Sequence, residues 1–149
     1  MKHCTAPCSN CPFSRAVAPG ALGGSPVETF IGQAYGPFVL PCHKACDFSD
    51  PDWKAKAIDT PQCAGAAIFR ANVKVAPMMP PSLHALPEDK VTVFASAVEF
   101  YAHHKQVDID TARAALMHKT PFDLCREQLA RPSNILFPVG RTGVTDAKE

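Results

Sequence analysis

The placement of the cysteines constrains this chain more than any other feature. Six of the seven, Cys4, Cys8, Cys11, Cys42, Cys46 and Cys63, fall in the first 65 residues, and only Cys125 lies beyond. An odd number leaves one thiol over in any complete disulfide framework. The start, Met1-Lys2-His3-Cys4, lacks the apolar stretch of an export signal. Metal binding or thiol redox chemistry is then the better reading, and a cytoplasmic location is expected.

Cys8 and Cys11 form a CxxC pair whose tight turn can bring two sulfurs to the same side. A redox dithiol expects a strand before the pair and a helix after it. Here Pro12 follows and no β-rich stretch precedes, so a metal centre is favoured over a disulfide switch. The best four ligands are Cys8, Cys11, Cys42 and Cys63, with His43 and Cys46 as alternates. Structural zinc commonly takes two paired knuckles, which would use Cys42 with Cys46 and leave Cys63 unexplained. An iron–sulfur cluster is larger and can join isolated ligands from separate segments. Cys11-Pro12 also resembles the cysteine–proline junction of ferredoxin-type runs. A [4Fe–4S] cluster is therefore the leading expectation and zinc the alternative. Cys63 is expected at a helix start, where free N–H groups favour anionic sulfur, with Gly65 allowing close backbone approach. His43 could be a ligand, a donor to a cluster sulfur, or a surface residue. Cys125 reads as a buried small hydrophobe.

The 149 residues are 46% hydrophobic and 19% charged, a globular composition, and 15 prolines with 8 glycines imply short helices joined by fixed loops. The expected fold is mostly α and loop-rich, a single small domain organised around a cysteine-bound metal centre. It divides into a metal-binding half (1–75), a Pro-rich loop (76–87), a helical half (88–131) and an irregular tail (132–149). Helices are expected from a Ser25 cap through about Ala34, in a turn after Asp50-Pro51-Asp52, over Gln62–Val73, over about 111–117, and from Thr120-Pro121 to about Ala130. The clearest apolar stripe is Val91, Phe94, Ala95, Val98, Tyr101 and Ala102, which predicts a helix beginning at Pro87-Glu88-Asp89.

A formal net charge of +1 argues against a strongly basic nucleic-acid binder. Arg15, Lys44, Lys54, Lys56 and Arg70 could still offset an anionic cluster or touch a phosphate backbone, with a solvated face the plainer reading. No apolar run of about 18 residues exists, so no membrane partner is expected. No phosphate-binding glycine loop is present. His103, His104 and His118 are expected to be solvated, and Met78-Met79-Pro80-Pro81 to cover the core.

Three motifs in order, Cys8-x-x-Cys11-Pro12-Phe13, Cys42-His43-Lys44 and Cys63-Ala64-Gly65, resemble those of a largely uncharacterised group of small phage and bacterial proteins. Their pattern is CxxCPW, then CHK, then CAG. The resemblance covers about residues 8–70. Phe13 replaces the tryptophan, and Arg15 comes one residue later than the usual arginine. The resemblance implies a metal or iron–sulfur protein with no established reaction. The expected function is thus a small iron–sulfur protein, its cluster structural or electron-transferring, with phage nucleic-acid processing as a candidate setting. The alternative is a zinc-stabilised interaction module without redox chemistry. A protein or nucleic-acid partner stays open, as does an enzyme using an activated thiolate at Cys46 or Cys4.

Overall fold

A computed structural model describes residues 6–8, 10–42, 46–79 and 86–136. The expectations for Cys4, His43, Lys44, residues 80–85 and the tail beyond 136 lie outside the described residues. Among those described, six α-helices are present: α1 (Val27–Ala34), α2 (Trp53–Lys56), α3 (Ala64–Asn72), α4 (Ala97–Lys105), α5 (Ile109–His118) and α6 (Pro121–Leu129). Pairing between extended segments is limited to isolated antiparallel bridges, Ser14 with Val93, Phe38 with Leu136, and Pro41 with Gln62. The protein is mostly helical, as its proline and glycine punctuation predicts.

Several helix starts follow their local chemistry. Thr120 caps α6 in a reciprocal box with Asp123, and Pro121 occupies the first helical position, where its missing N–H costs nothing. Asp108 caps α5 by accepting from the Thr111 N–H at 2.7 Å. α1 departs from expectation. Pro26, not Ser25, stands at its cap, and no side chain caps it. α1 instead is held by packing on α6, where Gly32 has no room for a side chain. A Cβ there would lie 2.8 Å from Gln128 Cγ.

The helix expected from residue 88 begins only at Ala97. Asn72 of α3 takes the backbone of 89–94 for itself. Its amide donates to the carbonyls of Asp89 and Phe94, each at 3.0 Å, and its oxygen accepts the Asp89 N–H at 2.9 Å. Asp89 accepts from the N–H groups of Val91 and Thr92, closing a turn. Val91, the first residue of the apolar stripe, is 85% exposed, whereas Phe94 is buried. Ser96 then caps α4 by accepting from the Glu99 N–H.

The core is built on aromatic rings. Phe13, directly after the CxxC-Pro run, packs on Phe69 of α3 at 5.1 Å and on Phe100 of α4 at 5.2 Å between ring centres. Phe13 thus anchors the cysteine loop to both halves of the chain. Arg15 reinforces that tie through Glu99 at 2.7 Å and the Lys90 carbonyl at 2.9 Å.

His118 is exposed as expected, whereas His103 and His104 depart from the expectation of a solvated face. His104 is buried, and its Nδ1 accepts the Gly20 N–H at 3.0 Å. That contact fixes the neutral tautomer, so Nε2–H donates to the Pro12 carbonyl at 2.8 Å. His103 Nε2 meets the Val17 carbonyl at 2.7 Å. Two adjacent histidines therefore clamp the loop that follows Cys11. Desolvation holds the His104 pKa below the ordinary 6.5, against the opposing pull of the Pro12 carbonyl. The unfolded chain then binds the extra proton more readily than the folded one. The stability His104 contributes is complete above about pH 6.5 and is lost as the pH falls toward its depressed folded value. Thermal melts between pH 7.5 and 5.5 are expected to fall more steeply for the wild type than for His104→Gln. Parallel curves would assign the acid sensitivity elsewhere.

Candidate metal centre

The three cysteine segments meet at the start of α3. Cys11 ends a tight turn in which its N–H donates to the Cys8 carbonyl at 3.1 Å. Cys63 caps α3, its sulfur accepting from the Ala66 N–H at 3.4 Å. Gln62, just before it, is buried and acts as a strut. Its Oε1 accepts the Leu40 N–H at 2.8 Å, and its Nε2 donates to the carbonyls of Ala57 and Thr60. Two backbone bonds complete the pairing of this strip with residues 40–42, Cys42 N–H to Pro61 and Cys63 N–H to Leu40, each at 2.8 Å.

This geometry places Cys11 Sγ 3.6 Å from Cys63 Sγ, across 52 residues of sequence. Gly65 makes the approach feasible, because any Cβ there would overlap the Cys11 sulfur. The two thiols share a hydrogen bond, and this divides their acidities. The bond from Cys63 lowers the Cys11 pKa, opposed by burial and assisted by backbone N–H groups of Phe13 and Ser14. The same bond raises Cys63 well above its ordinary value, as does burial, with the N–H groups of Ala66 and Gly65 opposing. The Ala66 N–H on the Cys63 sulfur is the kind of donor that favours anionic sulfur.

Cys8 packs beside this pair on the edge of the core. Cys42 is buried. In the antiparallel register, Cys42 opposes Pro61, so Cys42 and Cys63 leave the same face as diagonal neighbours. Diagonal positions stand about 7–8 Å apart, wider than the Cys11–Cys63 contact. Among the described residues, no three cysteine, histidine, aspartate or glutamate side chains lie close enough together to hold one metal ion. The structure therefore brings Cys11 and Cys63 into contact, with Cys8 and Cys42 flanking. His43 lies outside the described residues.

The remaining candidates separate. Cys46 N–H donates to the Cys42 carbonyl at 2.9 Å. Its thiol is held above the usual value by burial and then by the carboxylates of Asp47 and Asp50, the opposite of an activated nucleophile. Cys125 is buried in α6, as expected of a small hydrophobe, and burial raises its thiol. The positive charges are mostly engaged elsewhere. Lys56 pairs with Asp50 at 2.6 Å, and Lys54 lies over the Trp53 ring at 5.8 Å.

Arg70, expected on a solvated face or beside a cluster, instead serves the fold. It is fully buried on α3. Its Nε donates to the Ala34 carbonyl at 3.0 Å, and its Nη2 to the carbonyls of Gln33, Gly36 and Phe38 at 3.2, 3.0 and 3.0 Å. α1 has no basic residue in its last turn, so Arg70 supplies the cation its C-terminus lacks. Desolvation pulls the Arg70 pKa down to about 10, partly offset by Cys63 and Cys125, and the group stays charged at neutral pH. No sequence signal marked this role, because an arginine in the last turn of α3 reads as a solvated end. Comparison with known protein families, curated proteins and solved structures returns no match to this chain.

Proposed function

We propose that this chain is a small metal protein whose centre is held by Cys11 and Cys63, completed by Cys8 and Cys42. The observation that carries the reading is the 3.6 Å contact between Cys11 and Cys63 sulfurs in a cradle only glycine permits at residue 65. Two thiolates on one tetrahedral ion, each at about 2.3 Å, stand about 3.8 Å apart. A zinc-type ion therefore fits the existing pair with the least movement. Its role is structural: it would tie the CxxC loop, the 40–42 strip and α3 into one unit.

An iron–sulfur cluster is the second reading, favoured by the diagonal offset of Cys42 from Cys63 on one face. Cluster ligands bind different irons and stand farther apart than ligands of one ion, so this occupant needs Cys11 and Cys63 to separate. In both readings the family resemblance is a proposal carried by the same residues, and no reaction follows from it.

Single serine substitutions test the ligand set. Cys11→Ser and Cys63→Ser are expected to lose nearly all bound metal, and Cys8→Ser and Cys42→Ser most of it. Cys125→Ser is expected to keep it. Metal content per chain, measured after anaerobic purification, provides the check. If Cys46→Ser strips the metal while Cys63→Ser leaves it intact, the ligand set is wrong.

A further inference from the structure

Beside the cysteine pair lies a cavity of about 840 Å³, within the size range of sites that enclose small molecules. Phe30, Phe48 and Trp53 contribute aromatic walls, Asn10 and Gln33 contribute carboxamides, and Cys63 forms part of the lining. No acidic, basic or histidine side chain among the described residues lines it. From these described walls a charged ligand would receive no countercharge for the hydration it loses.

Phe48 and Trp53 meet edge to face with ring centres 4.9 Å apart, yet Phe48 is 49% exposed. A half-exposed aromatic at a cavity wall is positioned to receive another ring. The polar edge is equally specific. Asn134 Nδ2 donates to the Gln128 carbonyl at 2.9 Å, which leaves its Oδ1 as acceptor. Gln33 must then present Nε2 to that oxygen, at 2.9 Å. Its Oε1 takes no donor among the described residues and calls for an N–H or O–H. A lipid tail would bury that oxygen unpaired at a cost of about 1–3 kcal/mol.

We propose that this cavity binds an uncharged, planar heteroaromatic molecule of about nucleoside size, its ring against Phe48 and Trp53 and an N–H on Gln33 Oε1. The ligand would rest against Cys63 and so beside the metal centre, although the walls alone define the site. Trp53 is the single tryptophan of the chain, so its fluorescence reports on the cavity directly. The test titrates the full chain, as purified, with adenosine as the probe and with cyclohexanol as a neutral, saturated comparison. A saturable change in Trp53 emission is expected with adenosine and not with cyclohexanol. Phe48→Ala is expected to weaken adenosine binding about ten-fold or more, the usual effect of removing a stacking ring. Phe122→Ala removes another half-exposed ring that does not line the cavity and should leave binding unchanged. No saturable change with adenosine, equal binding of cyclohexanol, or equal effects of the two phenylalanine variants would overturn the proposal. Metal analysis reads the centre and Trp53 reads the cavity, so failure of one reading leaves the other standing.

Discussion

Replacing Arg70 by methionine is expected to lower the free energy of unfolding by about 4 kcal/mol, in the range seen when one partner of a buried charged network is removed. Methionine fills much of the same volume, so the loss is not a cavity effect. It comes from the carbonyls of Gln33, Ala34, Gly36 and Phe38, which all bond to this one guanidinium. Those carbonyls form the end of α1 and the turn that leads to the 38–42 strip carrying Cys42. Loss of the guanidinium therefore also loosens one approach to the proposed centre. Domains of this kind are stable by about 5–15 kcal/mol, so the variant should fold only marginally. Urea titration provides the measurement: the midpoint should fall with little change in slope. Arg70→Lys keeps the charge but not the forked geometry, and should recover part of the loss. A methionine variant within about 1 kcal/mol of wild type would show that water satisfies these carbonyls.

Gly65→Ala is expected to be the most damaging change that adds a single methyl group. The new Cβ would overlap Cys11 Sγ and lie 3.2 Å from Phe13 Cβ. Neither neighbour can give way easily. Cys11 is almost wholly buried, and Phe13 is wedged between Phe69 and Phe100. The relief available is withdrawal of the α3 N-terminus from the CxxC loop, which parts Cys63 from Cys11. Overpacking of a tight site costs about 1–3 kcal/mol. The variant is thus expected to melt earlier and to bind little metal. Wild-type melting with full metal content would show that the two segments do not meet this closely.

Local punctuation explains what was legible in the sequence. Thr120-Pro121 announced its helix, and Cys63 was expected at the helix start where it stands. The apolar stripe misled at Val91, because period alone does not reveal that Asn72 captures the backbone of 89–94. The sequence did carry the better signal: Ser96-x-x-Glu99 is a helix-start signature, and α4 begins there. His104 and Arg70 were read as solvated or as part of a charged face. Their burial depends on loops brought in from 84 and more than 30 residues away, which no local pattern encodes. The candidate site shows the same division. The residue types were visible, whereas the meeting of Cys11 with Cys63 across 52 residues is a property of the fold.

The most direct test of the central claim is elemental analysis with a visible spectrum on one anaerobically purified sample of the wild-type protein. A cysteine-held centre predicts a stoichiometric metal: about one zinc per chain and no colour for the tetrahedral ion, or about four irons and a brown protein for the cubane. A colourless, folded protein with no bound metal and all its thiols reactive would contradict the account.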